Sequence, residues 1–164
     1  MIRMHKHKHV HILLLSFLKG DWTDDMDQQI MIVLSLIANK GRPAPADFAA
    51  RLRQWERHGF PDPPFNDIGE GLGIGNLTAL VASHPLFCSK KAEHYGAAAL
   101  HYWLHPFGGC GRSGSANGGM MRTAILGALP DPTTAALVYS RTTHASPWAD
   151  ASAVAVVKVG SLAQ

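Results

Sequence analysis

The apolar residues of this chain repeat with helical spacing, and the body of the chain shows no strand-like alternation. Residues Met26 to Asn39 are apolar around nearly the whole circumference of a helix, which predicts a central position in the core. Asp47 to Gly59 is amphipathic, with Asp47 as the predicted cap. The other predicted helices are Asn76 to Ser83, Ser89 to Leu104, Gly119 to Leu129, and two that start at Asp131-Pro132 and Ser146-Pro147. The sequence therefore predicts an all-α fold.

Composition restricts the class of protein. The 164 residues suffice for one domain, and 46 % apolar with 16 % charged residues is typical of a globular chain. A net charge of +3 from scattered basic residues forms no stripe for nucleic acid. Two cysteines cannot make a disulfide framework, and no apolar run has the length of a membrane span. We therefore expect an intracellular, cytoplasmic protein without a nucleic-acid or membrane partner.

The N-terminus differs from the rest. His5, His7, His9 and His11 would share one side of an extended segment and could hold a transition metal, but a loosely ordered terminus is the simpler interpretation. The apolar run from Ile12 to Leu18 faintly resembles a signal peptide without a cleavage site. We predict a disordered or unrelated extension over residues 1–18 and one domain over residues 19–164.

An acidic cluster lies directly ahead of the first helix. Gly20-Asp21-Trp22-Thr23-Asp24-Asp25 places one hydroxyl and three carboxylates within six residues. Thr23 or Asp24 could cap the helix, with the other acids at the positive end of its dipole. Alternatively, these oxygens could bind a hard cation such as Mg²⁺ or Mn²⁺. The cluster alone favours the cap.

Two further features carry candidate chemistry. Gly108 to Gly119 holds six glycines in twelve residues, long for a plain turn, and its amides could cradle an anion. Its match to a dinucleotide-binding pattern is weak because no strand precedes it. His144 lies in a polar turn between two helices, where a histidine is usually solvated. Cys110 and the pair His101 and His105 lack partners at informative spacing.

Four motifs in order give a family resemblance. They are Gly20 to Asp25, the Asp47-to-Gly59 helix with its Trp55, Asn117-Gly118-Gly119-Met120-Met121-Arg122, and Thr143-His144-Ala145. Together they resemble the ADP-ribosylglycohydrolase family, which includes the glycohydrolase that reactivates dinitrogenase reductase. The resemblance implies an orthogonal multi-helix bundle with a two-metal site for Mg²⁺ or Mn²⁺. It also implies hydrolysis of the glycosidic bond that joins ADP-ribose to a protein side chain or a small acceptor.

The resemblance also implies roles for individual residues, although it assigns no catalytic residue. Thr23, Asp24 and Asp25 resemble metal ligands, and His144 resembles the residue near the adenosine end. The loop that holds the diphosphate and the neighbouring ribose is matched by Gly114, Ser115, Asn117 and Gly118.

Three departures from the family pattern stand beside these matches. Met26 replaces a threonine, for which Asp27 is a partial substitute, and no Asp-x-Asp-Ser/Thr motif follows Asp150. The family's acidic N-terminal helix has no counterpart in residues 1–18. We therefore expect a domain truncated at both ends, with the segment Ala153 to Val157 exposed. The alternative function is an inactive ADP-ribose-binding remnant that lacks the C-terminal metal ligands.

Overall fold

The computed structural model describes residues 23–60, 71, 73–89, 92–105 and 116–162, which contain eight α-helices, one 3₁₀ helix and no strand. The prediction of an all-α fold is confirmed. None of the helices in these ranges is long and apolar enough to cross a membrane. The helices are α1 Asp24–Ala38, α2 Pro45–His58, α3 Asn76–Ser83, α4 Pro85–Cys88, α5 Ala92–Leu104, α6 Gly118–Thr123, α7 Pro132–Ser140 and α8 Pro147–Ser161, with the 3₁₀ helix Ala124–Ala128 after α6.

The last two helices begin as their sequences predict. The Asp131 carboxylate accepts a hydrogen bond of 3.1 Å from the backbone N–H of Thr134 at the start of α7. The Ser146 hydroxyl accepts one of 3.0 Å from the N–H of Ala149 at the start of α8. In both helices proline follows the cap, where its missing N–H costs nothing.

Proline also starts two helices that the sequence pattern did not place correctly. Helix α2 begins at Pro45, so the predicted start at Asp47 is wrong by two residues. The Asp47 carboxylate lies in the first turn and accepts a 2.8 Å hydrogen bond from Arg51. Pro85 opens the short helix α4, where the His84 ring accepts from the N–H of Leu86. Both prolines act as first helical residues, not as breaks.

Helix α1 is only partly enclosed. Met31 and Ile32 are buried, but Ile37 is 71 % exposed and Met26 is 44 % exposed. The prediction that α1 has a central position in the core is therefore wrong over the described residues. An apolar circumference does not say which face has a partner.

Helix α8 packs against α6, α7 and the 3₁₀ helix. Ala153 and Val157 are fully buried by these contacts, whereas Val154 and Val156 are half-buried and Ala155 is exposed. The expected exposure of this segment is therefore wrong for Ala153 and Val157. The large apolar side chains that α8 exposes are Trp148 and Val159, followed by Leu162 just beyond its end.

Helix α2 is fastened to α1 by a buried hydrogen bond. The Trp55 ring donates from Nε1 to the Asp27 carboxylate over 3.0 Å. The same ring lies against Gly71, where a Cβ atom would come within 2.6 Å of it. Asp27 therefore faces Trp55 and the core.

Candidate functional site

A cavity of about 410 Å³ opens where the N-terminal ends of α1, α3 and α6 meet the turn before α8. The convergence is notable because a helix N-terminus presents unpaired N–H groups and partial positive charge. The described residues that line the cavity are Asp24, Asp25, Gly73, Gly75, Asn76, Leu77, Thr78, Ala116, Asn117, Gly118, Met121 and His144.

Asp24 and Asp25 form one wall of the cavity, which we call the acidic wall. The Asp24 carboxylate accepts a 3.1 Å hydrogen bond from the side-chain amide of Gln28, one turn along α1. Burial, together with repulsion from Asp25 and Asp27, raises the pKa of Asp24 to about 6. Hydrogen bonds from Gln28 and from the backbone N–H of Asp24 act in the other direction and lower this pKa. No salt bridge to Asp24 or Asp25 is present within the described residues.

Thr23 has a different environment from the two aspartates. It occupies the N-cap position of α1, but its side chain is exposed and makes no capping hydrogen bond. Its backbone carbonyl accepts from the N–H groups of Met26 and Asp27. Thr23 does not line the cavity, and its predicted role as a ligand stays a prediction.

The acidic wall fits a sparsely coordinated cation. Within the described ranges, no three His, Cys, Asp or Glu side chains are grouped so that they could hold a metal ion. Mg²⁺, however, is commonly held by only one or two carboxylates, and water and substrate phosphates complete its shell. Asp24 and Asp25 match that kind of site.

His144 also lines the cavity, and we call its side of the cavity the histidine wall. Its ring is only 1 % exposed, and its Nδ1 lies 2.8 Å from the hydroxyl of Thr143. Burial, together with the charge of Arg122, lowers the pKa of His144 to about 3. The imidazole is therefore neutral at physiological pH, contrary to the solvated histidine that its position in a turn suggested.

Arg122 lies fully buried beneath this wall. Its Nη2 donates to the Thr143 hydroxyl over 2.7 Å and to the carbonyls of Tyr139 and Ser140 over 2.8 and 3.1 Å. Its Nη1 donates over 3.0 Å to the Gln28 side-chain oxygen. Burial lowers the pKa of Arg122 to about 9, so the guanidinium stays protonated at neutral pH.

These contacts join the two walls through the protein interior. Starting at Asp24, the chain of hydrogen bonds passes through Gln28, Arg122 and Thr143 and ends at His144. Gln28 and Thr143 are buried, as Arg122 is. The two ends of the cavity therefore share one hydrogen-bonded support.

The predicted site residues fall into three groups. Five of them line the cavity together: Asp24, Asp25, Asn117, Gly118 and His144. Thr23 lies beside it at the helix cap. Gly114 and Ser115, like Cys110, lie outside the described residues.

Sequence reasoning missed the supporting residues. Gln28 follows Asp24 by four residues, but the predicted helix began only at Met26. The observed helix begins at Asp24, which places the two side chains on one face. Arg122 lies within a quoted motif, but nothing in the sequence distinguishes a buried arginine from a solvated one. Thr78, which also lines the cavity, carried no signal.

Comparison with known proteins yields one match. The family model described as ADP-ribosylglycohydrolase matches residues 1–163, and this range includes the predicted N-terminal extension. No curated protein and no solved structure matches the chain. Because the match covers nearly the whole sequence, the chain belongs to the ADP-ribosylglycohydrolase family.

Proposed function

We propose that this protein is a metal-dependent hydrolase that cleaves the glycosidic bond of ADP-ribosylated proteins or of small ADP-ribose derivatives. Family membership supports a glycohydrolase of ADP-ribose linkages. The observation that carries the proposal of metal-dependent cleavage is one cavity lined by two carboxylates, by His144 and by the first residues of α3 and α6.

The distribution of charge suits such a ligand. The first residues of α3 and α6 line the cavity, and their N–H groups and helix dipoles favour a diphosphate. Asn117 and Gly118 lie at the start of α6, which supports their assignment to diphosphate and ribose binding. The neutral ring of His144 adds a site for the uncharged end of the nucleotide.

The acidic wall would serve the reacting end. Asp24 and Asp25 would hold Mg²⁺ or Mn²⁺, because crowded carboxylates prefer hard divalent cations. Such an ion would orient the ribose hydroxyls and a water molecule, and it would stabilise the charge that develops as the glycosidic bond breaks. Gln28 holds the Asp24 carboxylate in place through its amide.

One observation favours a second candidate, an ADP-ribose-binding protein without hydrolytic activity. Only two carboxylates line the described part of the cavity, whereas a hard cation takes about six oxygen ligands. Water and substrate would have to supply the remaining ligands. The two candidates share the same ligand and differ in turnover.

The experiment measures release of ADP-ribose from ADP-ribosylated arginine and serine, with Mg²⁺ or Mn²⁺ and with chelator. We expect release of ADP-ribose only with metal. In Asp24→Asn the rate of release should fall about 100-fold or more, because the substitution removes the negative charge of a proposed metal ligand. Asp47→Asn is the matched control, since Asp47 pairs with Arg51 on α2 and does not line the cavity.

Calorimetry with ADP-ribose separates the remaining outcomes. Binding without turnover supports the second candidate, and turnover that persists in chelator excludes the metal. If the protein shows no binding heat at millimolar ADP-ribose and no turnover, both functions are contradicted.

A further inference from the structure

We propose that Arg122 and Thr143 are positioning residues that hold His144 in one tautomer, with its proton on Nε2, so that the histidine wall presents a hydrogen-bond donor to the ligand. The tautomer follows from the described contacts alone. Its use in binding an ADP-ribose derivative rests on the proposed function.

The argument begins with the hydroxyl of Thr143, which has two described partners. One is Nη2 of Arg122 at 2.7 Å, and a guanidinium has donors but no acceptor. The Thr143 oxygen therefore accepts this hydrogen bond. The buried hydroxyl proton needs an acceptor, and among the described contacts only Nδ1 of His144, at 2.8 Å, can take it.

The tautomer of His144 follows from this count. Since Nδ1 accepts the Thr143 proton, Nδ1 carries a lone pair, and the neutral imidazole keeps its one hydrogen on Nε2. The same arginine charge beneath the ring opposes a second proton. The ring can therefore donate a hydrogen bond from Nε2, and its Nδ1 already accepts one from Thr143.

The Nε2 edge lies beside other cavity-lining residues. A Cβ atom added to Gly118 would lie 2.9 Å from Nε2 of His144 and 3.5 Å from the hydroxyl of Thr78. All three residues line the cavity. Because His144 is almost fully buried, a donor at this edge selects a ligand with an acceptor atom there, namely a hydroxyl, phosphate or ring-nitrogen atom.

Arg122 also fixes the orientation of the Gln28 side-chain amide, which contacts Asp24 at the acidic wall. Its Nη1 donates to Gln28, so the Gln28 oxygen faces Arg122 and the Gln28 amide nitrogen faces Asp24. Asp24 therefore receives a side-chain donor from Gln28 and a second hydrogen bond from its own backbone N–H, and its other oxygen lone pairs are available to the cavity. One buried cation fixes a donor at one wall and an acceptor at the other.

The test is the side-chain ¹⁵N spectrum of His144, recorded in the full chain and assigned through His144→Phe. In the wild type we expect an unprotonated Nδ1 and a protonated Nε2. Thr143→Ser keeps the hydroxyl and should keep this pattern. Thr143→Val has nearly the same shape without the hydroxyl, and it should mix the tautomers or reverse them. A role for Thr143 in packing alone would not change the pattern.

The affinity for ADP-ribose gives a second measurement. Thr143→Val should weaken binding about tenfold, the equivalent of one misdirected hydrogen bond, whereas Thr143→Ser should stay within about twofold of the wild type. A proton on Nδ1 in the wild type would overturn the inference, even if Thr143→Val failed to fold. An unchanged spectrum in folded Thr143→Val would overturn it too.

The two proposals fail separately. If the wild type shows the expected tautomer but binds no ADP-ribose, the proposed function fails and the positioning role of Arg122 stands. If the wild type binds ADP-ribose with the other tautomer, only the positioning role fails.

Discussion

The two walls of the cavity differ in how their polar groups are satisfied. The acidic wall gathers like charges, and Asp24 has one described side-chain hydrogen bond, from Gln28. The histidine wall is supported from beneath by a buried arginine with four hydrogen-bond acceptors. The acidic wall therefore carries charges that no salt bridge within the described residues neutralises, whereas the ring of His144 is held by hydrogen bonds within the protein.

This difference indicates which part of the site is formed before ligand binds. A buried and hydrogen-bonded ring keeps its orientation without ligand, because moving it would leave polar groups unpaired. Crowded carboxylates, by contrast, repel one another until a proton or a bound cation neutralises them. Ligand affinity should depend mainly on the histidine wall, and metal dependence on the acidic wall.

The largest effect should come from replacing the arginine beneath the histidine wall. Arg122→Met leaves Gln28, Thr143 and two carbonyls without their donor, and should cost about 3 kcal/mol or more in the free energy of unfolding. Urea denaturation measures the change. Arg141→Met is the matched control, since Arg141 is exposed and pairs with Asp150 at the surface, a kind of contact worth about 1 kcal/mol or less. Equal losses in the two variants would contradict the contrast between the walls.

A smaller effect should follow from adding one methyl group to the histidine wall. In Gly118→Ala the new Cβ would lie 2.8 Å from Cε1 of His144, so the ring must move, at a cost of about 2 kcal/mol. Gly75 also lines the cavity, but a Cβ there meets nothing within 4 Å, and its φ of −64° suits alanine. Thermal denaturation should therefore show a loss for Gly118→Ala only. If Gly75→Ala destabilises as much, contact with His144 is not the cause.

The smallest effect should be the change of stability with pH, because His144 and Asp24 contribute to it with opposite signs. The pKa of His144 is 6.5 in the unfolded chain and is lowered to about 3 in the folded protein. Below pH 6.5 the unfolded chain therefore binds one more proton at this residue, and stability falls on acidification. The pKa of Asp24 is raised to about 6, so the folded chain binds the extra proton and stability rises on acidification. Between about pH 4 and pH 6 the two contributions should nearly cancel in metal-free protein.

Asp24→Asn removes the contribution that makes stability rise on acidification. In chelator, the variant should lose stability on acidification from pH 6 to pH 4 by about 1 kcal/mol per pH unit more than the wild type. Urea denaturation at several pH values measures the difference. Parallel profiles for the two proteins would contradict the opposite behaviour of the walls.

Much of the fold could be predicted because its signals are local. The caps Asp131 and Ser146, each followed by proline, placed two helix starts correctly, since a cap acts within three residues of itself. The exposure of Ile37 on α1 could not be predicted, because it depends on which elements pack against that face. Burial of Val157 was missed for the same reason.

The sequence by itself determined an all-α chain, the family motifs and the acidic residues at the start of α1. Only the tertiary structure decided that Asp24 and His144 share one cavity, that His144 is buried and neutral, and that Arg122 supports both walls. The physical reason is distance along the chain, since Arg122 and Gln28 are 94 residues apart and meet only through helix packing. Hydrogen bonds between such residues leave no periodic pattern in the sequence.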